Sequence, residues 1–195
     1  ETMQLVEHLK QTEPELVDDV IPNVLSYANL EKLLKNLLRE GIPIKDLEII
    51  LETAAEASAS TRDIDMITEQ VRGALSRTIT RKFCENGQMR VATLDAELEK
   101  KVLAALTKNE HGVYLALSPD IIQQIMTQLG DIRKKFSELS QTPIVLTSQV
   151  IRLYLSRMIA QFYPDIYVLS FNEVAGNVQI QAIGNITLQA QEKHT

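Results

Sequence analysis

The sequence predicts an α+β protein, with a helical subdomain followed by an α/β subdomain that carries a small mixed sheet. Three observations carry this. Up to about residue 84, apolar residues return at helical spacing. At Glu85-Asn86-Gly87 that rhythm stops. Beyond it, short alternating or continuously apolar runs are separated by helical stretches.

The elements follow in order. Residues 2–20 have helical spacing, with a break expected at Glu13-Pro14 and an end at Pro22. Ser26 is placed to cap a helix from Tyr27 to Glu40, with Leu30, Leu33, Leu34, Leu37 and Leu38 on one stripe. Gly41 and Pro43 stop it. Asp46 starts the next helix, with Leu47, Ile50 and Leu51 inward, and its small end Ala54-Ala55-Glu56-Ala57 lets a neighbour approach closely. Asp63 caps a long helix to about Phe83.

In the second half, Gln88 to Leu94 alternates as a strand. Asp95 caps a helix with Leu98, Val102, Leu103 and Leu106 inward, and residues 109–112 form a loop before a short strand from Val113 to Leu117. Ser118-Pro119-Asp120 opens a helix to about Leu139, weakened in its middle by Gly130. Ile144 to Thr147 is an apolar strand, and Ser148 caps a helix with Val150, Ile151, Tyr154, Leu155, Met158 and Ile159 inward. Ile166 to Phe171 and Val178 to Leu188 are strands, with Ala175-Gly176-Asn177 as a hairpin turn between them. Residues 189–195 are expected to be a frayed tail.

Composition narrows the function. A chain of 195 residues with 45% hydrophobic and 24% charged side chains buries an ordinary core without disulfide or metal staples. The net charge is −6, and residues 1–84 hold ten basic and fifteen acidic side chains. Neither half has the basic surplus that nucleic acid or an anionic membrane selects. The single cysteine and the absence of any apolar run near 20 residues predict an intracellular, non-spanning segment. The chain starts inside an apolar rhythm (Met3, Leu5, Val6, Leu9) and is expected to continue a longer one.

Reactive chemistry is not predicted. Cys84 falls at a helix C-terminus, where the dipole does not favour a thiolate. His8, His111 and His194 share no metal-ligand spacing. Asp18-Asp19, Asp63-x-Asp65 and Asp95-x-Glu97-x-Glu99 sit at or near helix ends, where capping explains them. No G-x-S-x-G elbow and no glycine-rich phosphate loop occurs. Tyr167 and Phe171 share one strand face and are read as core residues rather than a base-stacking platform. No catalytic residue, cofactor, metal, nucleic acid or small-molecule substrate is therefore expected.

One basic feature stands apart. Arg72, Arg77 and Arg81 are expected off the apolar stripe of the long third helix. They form either a solvated face paired with Glu69 and nearby acids, or a subunit interface that meets an acidic neighbouring copy.

Four stretches together resemble one family: IPNVLSYANLEKLLKNLLRE (21–40), IPIKDLEIILET (42–53), ITEQVRGALSRTI (67–79) and VLSFNEV (168–174). They are similar to the cytoplasmic part of the type III secretion export-gate family, in its flagellar FlhA branch. The resemblance implies a bacterial inner-membrane protein whose cytoplasmic domain has four subdomains and forms a homo-oligomeric, nonameric ring. It also implies receipt of export chaperone–substrate complexes and contact with the export ATPase complex. On that basis residues 1–20 are a remnant helix of a preceding subdomain, 21–84 the helical third and 85–188 the α/β fourth. Connectors near Pro22 and Asn86 would be hinges. The chaperone-docking cleft belongs to subdomains missing here, so no chaperone-site residue carries over, and Met3, Leu5, Val6 and Leu9 are expected to lack their partner. The alternatives held open are a small hydrolase using Cys84 or an acidic pair, and a generic protein-binding adaptor.

Overall fold

A computed structural model describes residues 1–189. The chain divides into two compact units, one of residues 1–82 with 172–175, the other of 83–171 with the chain from 176 onward.

The helical unit contains α1 (Thr2–Lys10), α2 (Pro14–Val20), α3 (Tyr27–Arg39), α4 (Leu47–Ser58), α5 (Ile64–Ala74) and most of α6 (Ser76–Phe83). The expected break at Glu13-Pro14 separates α1 from α2, because Pro14 can begin a helix but not continue one. Ser26 caps α3 by accepting from the Asn29 amide at 3.1 Å. Leu30, Leu33, Leu34 and Leu37 are buried, but Leu38 is 53% exposed. At about 100° per residue, Leu38 lies some 40° further round the helix than Leu34, past the edge of the stripe. The core is completed by Ile42, Ile50, Leu51, Ile67, Val71 and Ile79.

Two expectations for this unit are corrected. Val6 does not lack a partner and is fully buried, although Met3 and Leu5 are exposed. The long third helix is interrupted at Leu75, whose amide is shared between the Val71 and Arg72 carbonyls (3.0 and 3.1 Å). This tightened last turn makes α6 a separate helix.

The α/β unit is built on four strands, β1 (Gln88–Leu94), β4 (Ile144–Thr147), β5 (Tyr167–Ser170) and β6 (Gln179–Ile186), in the order β5-β4-β1-β6. All three pairings are parallel. The antiparallel part of the fold is a separate ribbon of β2 (Leu106–Asn109) and β3 (Gly112–Leu115). Every residue of β4 is buried, as its unbroken apolar run requires of a central parallel strand. Helices α7 (Ala96–Ala104), α8 (Pro119–Glu138) and α9 (Gln149–Ala160) supply Leu98, Val102, Ile125, Leu129, Ile151 and Leu155 to its core.

Four details differ from expectation. Residues 175–177 are not a hairpin turn, since β5 and β6 lie at opposite edges of the sheet. Parallel strands need a crossover, and residues 172–175 leave this unit altogether. Phe171 begins a 3₁₀ turn and is exposed rather than sharing a strand face with Tyr167. Leu106 pairs with Leu115 in the ribbon instead of extending α7, and Leu103 is exposed. Val150 is also exposed, because it stands on the first turn of α9, away from Ile151 and Leu155. Gly130 sits where the Tyr163 hydroxyl would be 2.9 Å from an added Cβ, so its place in α8 answers to a close approach. Residues 190–195 of the expected tail lie outside the described residues, as does His194.

Candidate functional site

The three arginines singled out by the sequence separate. Arg72 is 1% exposed, not off the stripe. Its Nε donates to Glu173 Oε1 at 2.6 Å and its Nη2 to Glu173 Oε2 at 3.1 Å, a bidentate pair with the carboxylate equally buried. Nη1 faces Glu40 Oε2 at 3.7 Å. The burial has a structural origin. Residues 172–175 belong to the helical unit, where the Ala175 amide donates to Thr80 Oγ1 at 2.8 Å and the Thr80 hydroxyl donates to the Glu173 carbonyl at 3.4 Å. A Cβ on Gly73 would stand 3.0 Å from Asn172 Nδ2, so the segment lies tight against α5. A sequence window of α5 alone cannot show a partner 101 residues away. The only local signal was an arginine beside a glycine in a helix.

Arg77 and Arg81 do stand exposed on α6, one turn apart, and neither makes an ion pair within the chain among the described residues. The helical unit also carries a stripe of opposite sign that makes no ion pair among the described residues. Glu48, Glu52 and Glu56 recur every four residues along the exposed crest of α4. The spacing of four is visible in the sequence, but exposed acids at that period read as an ordinary solvated face.

The other candidates have structural roles or stand apart. Asp63 accepts from the Asp65 amide at 2.9 Å and Asp95 from the Glu97 amide at 3.3 Å, both as caps. Glu99 reaches across to α9, accepting from Thr147 Oγ1 at 2.7 Å and from the Ser148 amide at 2.8 Å. Glu99 thus satisfies the amide of the N-cap residue itself, while the Ser148 side chain, expected as the cap, makes no capping bond. Asp18 pairs with Lys10 at 3.1 Å, and the bond from Lys10 to its carboxylate raises the Lys10 pKa above the usual lysine value. A bond from Lys35 likewise holds the Glu31 carboxyl below its usual range. Cys84 is half-buried just past α6. His8 is exposed on α1, and His111 is exposed in the turn between β2 and β3. Among the described residues no group of three or more His, Cys, Asp or Glu side chains could hold a metal ion.

These features define a two-unit α+β chain: a helical unit whose buried ion pair secures a long-range loop and whose helix crests carry opposite charge, and an α/β unit built on a parallel sheet. The chain belongs to the FHIPEP family, whose model matches residues 1–179. It is 38% identical over 189 residues to the flagellar biosynthesis protein FlhA of Bacillus subtilis (strain 168), covering 96% of this chain and 28% of that protein. Among solved structures it resembles the Chlamydia pneumoniae CdsV protein, with a TM-score of 0.87 and 32% identity over 95% of this chain and 53% of the other. It also resembles nonameric EPEC SctV-C, with a TM-score of 0.85 and 28% identity over 95% and 56% of the two chains. The chain therefore spans little more than a quarter of the length of its FlhA relative and about half of the solved chains. Among the described residues no helix is long and apolar enough to cross a membrane.

Proposed function

We propose that this chain is a ring-scaffold and docking module of a flagellar or type III protein-export gate, acting on the cytoplasmic side of a bacterial inner membrane. The observation that carries the reading is the family match along residues 1–179, joined to a fold shared with a nonameric relative. A ring is a heterologous assembly, in which one surface of a copy meets a different surface of the next. The helical unit offers two such surfaces. In this reading Arg77 and Arg81 of one copy face the Glu48, Glu52 and Glu56 crest of its neighbour. Arginine suits that contact because its planar fork takes two carboxylate oxygens and is weakly hydrated. In the complete protein the ring would be the platform that export chaperone–substrate complexes and the ATPase complex reach. A complex of the relative CdsV with CdsO supports the idea of a docking platform.

The test is a charge swap in the complete protein, followed by sedimentation velocity. Arg77→Glu with Arg81→Glu should abolish rings, as should Glu48→Lys with Glu52→Lys and Glu56→Lys. Mixing the two variants should restore higher-order assembly, because each interface between unlike copies regains opposite charges. Unchanged sedimentation of both variants alone would remove the assignment.

A further inference from the structure

Residues 187–189, which follow β6, are held on α8 through their backbone. The side-chain amide of Gln128 bonds both backbone groups of one residue: its Nε2 donates to the Thr187 carbonyl at 2.6 Å, and its Oε1 accepts from the Thr187 amide at 2.9 Å. One turn earlier on the same helix, Gln124 Oε1 accepts from the Gln189 amide at 3.0 Å. Between them Leu188 turns inward, partly buried against the core that Ile121 and Ile122 also join.

The spacing explains why these contacts fall in register. Four helical residues advance about 6 Å. Two residues of extended chain advance about 6.6 Å. Glutamines at i and i+4 thus meet alternate residues of the segment that follows β6. The helix also braces both readers, since Gln124 Nε2 donates to Asp120 Oδ2 at 3.1 Å and Gln128 Nε2 donates to the Gln124 carbonyl at 3.1 Å. All the hydrogen bonds to the segment go to main-chain atoms, so the only side chain this surface selects is an apolar one at the middle position. Thr187 and Gln189 are themselves exposed. Water competes for these bonds, and such segments are the first to open.

We propose that the Gln124–Gln128 face of α8 is a docking track for extended polypeptide. Residues 187–189 occupy it in cis, and an extended segment of another polypeptide with an apolar residue between two others takes their place when they lift. The proposal deepens the export-gate reading, which supplies the reason for unfolded polypeptide to reach this surface. The contact geometry does not depend on that reading. A strap that covers the track lowers the fraction of molecules competent to bind, and lifting it raises apparent affinity by the same factor.

The probe is a fluorescein-labelled peptide with the sequence of residues 185–189, titrated against the full chain by fluorescence anisotropy. Thr187→Pro removes the amide that Gln128 accepts from and should lift the strap, tightening binding at least tenfold over the parent. Adding Gln128→Ala should return affinity to the parent value, and a peptide N-methylated at its threonine should bind at least tenfold more weakly. If Thr187→Pro does not fold by circular dichroism, Leu188→Ser is the substitute and carries the same expectation. Equal binding by parent and lifted variant, or binding indifferent to Gln128→Ala, would overturn the track. Neither result bears on ring assembly, and loss of assembly in the charge swap would leave peptide binding unchanged.

Discussion

The helical unit and the α/β unit use contacts of different range. In the first, a stripe such as Leu30, Leu33, Leu34 and Leu37 gathers one buried face within a single helix. In the second, β1 is paired on one side with β4 and on the other with β6, so that Met89 meets Ile180 and Ala92 meets Val145. Local periodicity specifies the first kind of order. The second exists only once remote segments have met, after their loops have been closed. The helical unit is not wholly local, however. Its buried Arg72 depends on Glu173, brought back by residues 172–175.

That exception gives the sharpest test of the contrast. Replacing Glu173 by Leu leaves the Arg72 guanidinium charged and buried without its main partner. Removal of one member of a buried pair costs about 3–5 kcal/mol, whereas replacing both by apolar residues is often close to neutral. Urea denaturation should therefore show a loss of that size for Glu173→Leu and recovery of most of it in Arg72→Met/Glu173→Leu. A single variant within about 0.5 kcal/mol of the parent, the ordinary range for surface changes, would mean that the loop is not held by this pair.

Within the local stripe, neighbouring leucines should behave oppositely. Leu37→Ala should cost about 2–5 kcal/mol by loss of burial and creation of a cavity. Leu38→Ala, at an exposed position, should stay within about 0.5 kcal/mol. Equal losses in thermal unfolding would show that the stripe extends round to Leu38.

In the sheet, the edge strand β6 approaches α8 closely. A Cβ on Gly184 would lie 2.9 Å from Ile132 Cγ1, whereas at Gly176 nothing stands within 4 Å. Gly184→Ala should cost about 1–3 kcal/mol through overpacking, with Gly176→Ala near neutral. If the two cannot be told apart by chemical denaturation, the β6–α8 contact is looser than the geometry indicates.

Much of the fold was legible. Helices α2 to α4, the caps at Ser26, Asp63 and Asp95, and strands β1 and β4 follow from apolar period and capping chemistry. What was missed has a common cause. The Gly176-Asn177 pair has hairpin chemistry, yet a turn signal does not reveal that the preceding residues leave the sheet to join the helical unit. Arg72 was misplaced for the same reason, since a helix exposed on one side in isolation is covered here by a distant loop. Arg77 and Arg81, which meet no such loop, remain on the surface where their position on the helix put them.

By itself the sequence determined the class of the fold, the helix starts and stops, and the family to which its four distinctive stretches point. Those depend on interactions within a few residues, which apolar spacing and side-chain caps encode directly. Only the tertiary structure decided that the main sheet is parallel throughout, that Arg72 is an internal anchor, and that α8 clasps the backbone after β6. Each of these needs two segments far apart in the chain to meet, and the chemistry of either segment alone is compatible with several partners.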